Sequence, residues 1–314
     1  MTRLLVGVWA VGTQTPPWIE RDITARCVEL ENALKATETL RGKKGDPNGL
    51  FVAPEYMFTL DEAKRHEDAR FQMDAADARF LKTRLAELSN RFPRILLVPG
   101  SIAFSKSLDF NENGAIERAM KWHGQLSKHK VALASGAVSP HHLEEEAKAH
   151  KLKIGAFEKR AKEWVRTKGA TKLTIARNSA YGYLDGKKVF ACRKRTELAE
   201  IYDGNDAFYI NAGESTVWKW DEVTFGVEIC KDAADGYLSK VAKETVDVQI
   251  VISASLETDH IQACARKYIV HAAQQEAEAG VFTDTKGRVP PLKNTRTQIA
   301  GFNLDFFLVE VGGG

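Results

Sequence analysis

The sequence is short of the features that would settle its class at a glance. It has four cysteines in 314 residues, at 27, 192, 230 and 264. No two have C-x-x-C spacing and none stands in a His-rich run, so zinc and disulfide frameworks are poorly supported. Free thiols point to a reducing compartment. Long apolar runs are missing too. The stretch 4–11 is too short to span a bilayer, and Gln14-Thr-Pro-Pro follows it in place of a small-residue cleavage site. A soluble, cytoplasmic protein with no membrane partner is expected. Nor is there an excess of either charge. Lys plus Arg is 45 and Asp plus Glu is 42, a net of +3, which argues against a nucleic-acid binder. With 44% apolar and 28% charged residues, a disordered, collagen-like or coiled-coil chain is ruled out. No repeat recurs at solenoid spacing.

What the sequence does contain is an alternation of short apolar runs and helical stripes. Residues 4–11 read as a strand covered on both faces. Ile23, Cys27, Leu30 and Leu34 then share one helical face within 21–40. Residues 50–53 form a second strand ending at Pro54-Glu55-Tyr56. Leu81, Leu85, Leu88 and Phe92 mark another helix, ended by Pro93, and 95–98 is a third strand. Strand, helix, strand, helix, strand predicts an α/β layer architecture.

The region 104–172 differs. It has 14 Lys and Arg against 8 Asp and Glu, a net of +6, and five of the eight histidines. Leu143, Ala147, His150, Ile154, Phe157, Ala161 and Trp164 alternate by four and three, the stripe of a long amphipathic helix. The region reads as a mainly helical insertion. Beyond it the pattern is β-rich. Residues 173–184 and 189–192 flank an Asp185-Gly186 turn, and 216–220 and 223–229 form a second pair. Residues 246–253 read as a buried strand. Ile261, Ala265, Tyr268 and Ala272 predict a helix, and strands at 281–283 and 298–311 close the chain.

Three residues carry the chemistry. Cys230 stands where an apolar strand gives way to Lys231-Asp-Ala-Ala-Asp-Gly, a stretch that can start a helix. A thiol there can use the free backbone N–H groups of the new turn, although a buried small hydrophobe is the commoner fate of a free cysteine. Glu55 follows a buried strand among aromatics, where an apolar setting suits a carboxylate to general-base work; otherwise it is a solvated loop glutamate. Lys194 lies in a basic cluster after a strand. Opposite a thiolate it can stabilise an oxyanion; alone it is a solvated edge. His260 and His271 are alternative bases for a Cys–His hydrolase.

Together these segments resemble the nitrilase, or carbon–nitrogen hydrolase, superfamily. The resemblance rests on Phe51-Val-Ala-Pro-Glu55, on the run from Asn178-Ser-Ala-Tyr through Asp185-Gly186 to Cys192-Arg-Lys194, and on Phe225-Gly-Val-Glu-Ile-Cys230-Lys-Asp, over about 1–103 and 173–285. It implies a four-layer α-β-β-α sandwich, a single domain over 1–314 with 104–172 inserted, and a homodimer or higher oligomer. It also implies a Glu55–Lys194–Cys230 triad cleaving an amide, carbamoyl or nitrile group through a thioester, with no metal or organic cofactor. The backbone N–H of Lys231 would join Lys194 at the oxyanion. A second glutamate near the lysine would be Glu200, with Asp206 as runner-up. Lys231 and the run Ala265-Arg266-Lys-Tyr depart from the family's usual pattern. The insertion is expected to wall or cover Cys230 and, through its charge, to favour an anionic substrate. A rival reading is a catalytically inactive scaffold that binds partners through the basic insertion.

Overall fold

A computed structural model describes residues 1–59, 73–109, 172–194, 208–209, 216–242, 246–284 and 287–311, together with 159, 163 and 166. Strand β1 (Thr2–Trp9) leads to helix α1 (Ile23–Lys43), β2 (Asn48–Val52), α2 (Ala75–Arg91), β3 (Ile95–Val98) and β4 (Ser101–Asp109). Asp22 caps α1 by accepting the Ala25 N–H at 2.7 Å, and Asp74 caps α2 by accepting from Ala76 and Asp77. Each carboxylate satisfies N–H groups that have no partner inside the helix.

β1, β2 and β3 run parallel, as their unbroken burial requires. The long β5 (Lys172–Leu184) pairs antiparallel with β3, β4 and β6 (Lys187–Arg193), and β7 (Phe208–Tyr209) runs parallel to it. β14 (Phe302–Val311) closes the other side against β1, with β13 (Thr297–Ile299) at the edge. A second sheet has the order β12-β11-β10-β9-β8 among the described residues: β8 (Thr216–Trp220), β9 (Val223–Ile229), β10 (Val248–Ile252), β11 (Tyr268–Ala272) and β12 (Gly280–Phe282). Its middle strands β9, β10 and β11 are parallel.

The sheets pack face to face. Val6, Val8, Leu50, Val52, Leu96 and Val98 of the first meet Phe225, Val227, Ile229, Ile250, Ile252 and Val270 of the second in one buried cluster. The alternate residues Leu5, Phe51 and Leu97 face outward and are covered by Leu30 and Leu34 of α1 and Leu81, Leu85 and Leu88 of α2. Period-2 alternation thus supplies two cores from one set of strands. On the far side of the second sheet sit the short helices α3 (Lys231–Ala234) and α4 (Tyr237–Ala242). The buried Glu228 carboxylate holds them by accepting the Leu238 N–H at 2.6 Å and the Gln249 amide at 2.8 Å. This is the α-β-β-α sandwich expected from the sequence.

Two expectations change. Tyr268–Ala272 is strand β11, not helix. The spacing from Ile261 to Ala272 mimics a helical face, but Tyr268-Ile-Val-His-Ala is a strand parallel to β10 and buried from Ile269 to Ala272, which gives the same short apolar run. In addition, β4 and β5 continue past Phe104, pairing in register out to Asp109 and Lys172, so the core sheet reaches into the stretch assigned to the insertion. Lys159, Glu163 and Arg166 are helical and exposed, on the polar side of the predicted stripe. The stripe itself, from Leu143 to Trp164, lies outside the described residues.

Candidate active site

Glu55, Lys194 and Cys230 meet where strand ends from both sheets converge. Glu55 stands three residues beyond β2. Its backbone N–H donates to Ser253 O of the second sheet at 3.2 Å, and its carbonyl accepts the Thr13 hydroxyl at 2.7 Å. Gly100 packs against this turn with a φ of +82°. A Cβ there would overlap the Pro54 carbonyl oxygen and lie 2.8 Å from Met57 Cβ, so the close approach requires glycine.

Lys194 follows β6 directly. Its N–H donates to Asn178 O at 2.9 Å, and its ammonium reaches inward to Glu55 Oε1 at 2.6 Å and to the Tyr56 hydroxyl at 3.3 Å. Both side chains of the ion pair are fully buried. Asn178 Nδ2 also donates to Glu55 Oε1, at 2.8 Å. One carboxylate oxygen therefore takes both bonds, and Oε2 has no hydrogen-bond partner among the described residues. A buried acceptor left open in this way is costly unless a proton or ligand meets it.

Cys230 caps α3 with φ +49° and ψ −114°, a conformation unfavourable for a residue with a Cβ. The fold holds it there: its N–H donates to Ile252 O and its carbonyl accepts from Ala233 N, both at 2.8 Å. This sharp bend lifts the side chain off the end of β9. The thiol feels both members of the ion pair. Burial and then the Glu55 carboxylate push its pKa up to about 12, while Lys194 and the Ala254 N–H pull the other way. At rest Cys230 is a neutral thiol beside a carboxylate, not the low-pKa thiolate that a cysteine at a helix start suggests. Burial outweighs the helix terminus here.

Lys231 opens α3, where first-turn N–H groups have no intrahelical acceptor. Its ammonium turns away to Asp235 at 2.6 Å on the surface. Glu200 and Asp206 lie outside the described residues, as does most of the expected lid. The histidine alternatives are not placed to act as the base. His260 is exposed, and His271 is fully buried on β11 with both ring nitrogens engaged, Nε2 with Ser253 Oγ at 2.7 Å and Nδ1 with Thr258 Oγ1 at 3.1 Å.

Sequence reasoning missed Asn178 and Tyr56 as partners of the ion pair, and it missed the Ser253–His271 contact. The available signal was a polar residue inside an apolar strand: Asn178 in β5, and His271 in Tyr-Ile-Val-His-Ala. Among the described residues the one group able to gather metal ligands is Glu257, Asp259 and His260, all exposed.

No family model and no curated protein matches the chain. Solved structures do. A variant of the amidase from Nesterenkonia sp. AN1, showing Michael addition of acrylamide at its active-site cysteine, aligns with a TM-score of 0.51 at 10% identity, over 98% of this chain and 92% of its own. A second variant of that amidase, in complex with butyramide, gives 0.51 at 9% identity over 98% and 90%. A third, described as an amidase from the nitrilase superfamily, gives 0.50 at 10% identity over 97% and 90%. With its paired sheets and outer helices, the chain therefore has the fold of the nitrilase-superfamily amidases.

Proposed function

We propose that the protein is a cysteine-dependent hydrolase of non-peptide carbon–nitrogen bonds, acting on an amide, carbamoyl or nitrile group. The carrying observation is the buried Glu55–Lys194 pair set against a thiol on a strained bend. Cys230 Sγ attacks the substrate carbon as Glu55 takes the thiol proton. The open Oε2 suits that step, because Oε1 is already committed to Lys194 and Asn178. A neutral resting thiol fits a mechanism in which deprotonation and attack are coupled.

With an amide or carbamoyl substrate the developing oxyanion would meet the Lys194 ammonium and the Lys231 N–H; a nitrile would first give a thioimidate, to which water adds before ammonia leaves and the thioester forms. Loss of one such donor typically costs about 10²–10³ in rate. Glu55 then passes its proton to the leaving nitrogen, and a water activated by the same carboxylate cleaves the thioester. No step needs a metal or an organic cofactor. Glu200, or else Asp206, is proposed as a second acid near Lys194, and the working unit is proposed to be a homodimer or higher oligomer in the cytoplasm. The test is intact-protein mass spectrometry after incubation with a panel of amides, carbamoyl compounds and nitriles. An acyl adduct on Cys230, lost in C230A and not in C27A, supports the reading. Turnover retained by C230A rejects it.

A further inference from the structure

Behind the nucleophile lies a buried polar chain to which the mechanism gives no part. Ser253, Thr258 and His271 are all buried, and Ser253 and His271 are fully so. Ser253 Oγ contacts His271 Nε2 at 2.7 Å, and Thr258 Oγ1 contacts Nδ1 at 3.1 Å. The Thr258 hydroxyl donates to the Glu278 carbonyl at 3.2 Å, and the Thr258 N–H donates to Glu278 Oε2 at 2.6 Å.

A count of protons fixes the tautomer. The Glu278 carbonyl can only accept, so the Thr258 hydroxyl spends its one proton there and must accept from His271 Nδ1–H. Nε2 is then a bare acceptor and the Ser253 hydroxyl donates to it. Every member is satisfied when the imidazole is neutral, and burial holds it neutral by pushing its pKa down to about 4.

The place of Ser253 gives this chain its meaning. The tripeptide 252–254 touches both reacting residues through its backbone. Ile252 O takes the Cys230 N–H, Ser253 O takes the Glu55 N–H, and the Ala254 N–H faces the Cys230 thiol. Ser253 N also donates to Ala272 O at 2.9 Å, which ties the tripeptide to the strand carrying His271. Nucleophile and base belong to different sheets, and this short stretch is in register with both.

We infer that His271 is a positioning residue for the Glu55–Cys230 pair, acting through the Ser253 hydroxyl to fix the backbone of 252–254 against both. The inference rests on the hydrolase reading for its consequence in turnover, but not for its effect on the thiol. A shift of about 1 Å in a reacting pair can cost roughly 10²-fold in rate, so a locked backbone is worth a buried polar chain.

The test compares H271L, which keeps apolar bulk and removes both bonds, with H271Q, whose amide can present an acceptor to Ser253 and a donor to Thr258. The readout is the rate of Cys230 carbamidomethylation by iodoacetamide at pH 7.5, mapped by peptide mass spectrometry, with folding checked by circular dichroism. A roughly tenfold or larger fall is expected in H271L, with most of the rate restored in H271Q. A folded H271L that alkylates at the wild-type rate overturns the inference. Should H271L fail to fold, S253A decides: it removes only the hydroxyl, a comparable fall is expected, and a wild-type rate overturns the inference. If no panel compound acylates the wild type, the hydrolase reading fails, while the alkylation comparison still decides the role of His271.

Discussion

Lys194→Met separates the electrostatic work of the site from its shape. The ammonium and the Glu55 carboxylate stand 2.6 Å apart with no solvent on either side chain. At that distance an effective dielectric constant of about 20 gives a gross attraction of roughly 6 kcal/mol. Desolvating both ions offsets much of this, so the net value of the pair is far smaller. Stranding one partner is a different matter, because a charge stays buried without its counter-ion, at a typical cost of about 3–5 kcal/mol. K194M removes the ammonium and keeps the Asn178 bond to the carboxylate. E55Q replaces the contacting carboxylate oxygen beside the ammonium by a neutral amide oxygen. The double variant E55Q/K194M buries no charge at this point. Each single variant should therefore lose several kcal/mol in urea unfolding at pH 7, and the double variant should lose clearly less than their sum. The coupling energy from the cycle should exceed about 2 kcal/mol. Additive losses, with coupling below about 1 kcal/mol as exposed ion pairs give, would refute the picture of a dry, contacting pair.

Three other outcomes follow from the same geometry. C230G should be more stable than C230A by about 1–3 kcal/mol, because glycine relieves the positive φ at the bend while both variants lose the thiol; equal midpoints in urea would mean the bend stores no strain. His271 makes the fold sensitive to acid. Its folded pKa of about 4 lies below the unfolded value of about 6.5, so the unfolded chain binds the extra proton and stability falls as pH drops between those values, by at most about 3.4 kcal/mol, and levels off below pH 4. The urea midpoint of H271Q should lack this component, and the same acid loss in H271Q would assign it to other groups. G100A should displace the Pro54–Met57 turn and destabilise the protein by more than about 2 kcal/mol, with acyl-adduct formation falling alongside; unchanged thermal unfolding would refute the close approach.

Much of this site could be read from the order of residues because strand ends are conspicuous in sequence. Glu55, Lys194 and Cys230 each follow a short apolar run, and the sheets bring those ends together across a separation of 139 residues between the first two. The thiol's protonation state could not be read in the same way. It depends on how deeply the bend is packed and on which carboxylate faces it, and both are tertiary facts. The strand at Tyr268–Ala272 was hidden for a simpler reason. A buried parallel strand has no polar alternation, and the spacing around it happens to fit a helix. The Ser253–His271 contact was invisible because neither residue signals the other: they come from neighbouring strands, and their pairing depends on register.

The proposed active-site residues are split between the two sheets, with Glu55 and Lys194 beside strands of one and Cys230 at the end of a strand of the other. Neither sheet alone can assemble the chemistry. A chain that has built its first sheet carries a carboxylate and an ammonium with no nucleophile, and an isolated second sheet carries a thiol with no base. Only the docking of Val6, Val52 and Val98 against Val227, Ile250 and Ile252 brings them together. The proposed base-assisted thiol thus exists only where the two sheets are docked. On the proposed reading, a chain whose sheets have not docked has no base beside Cys230, so acyl-adduct formation at that residue would report whether the sandwich has closed.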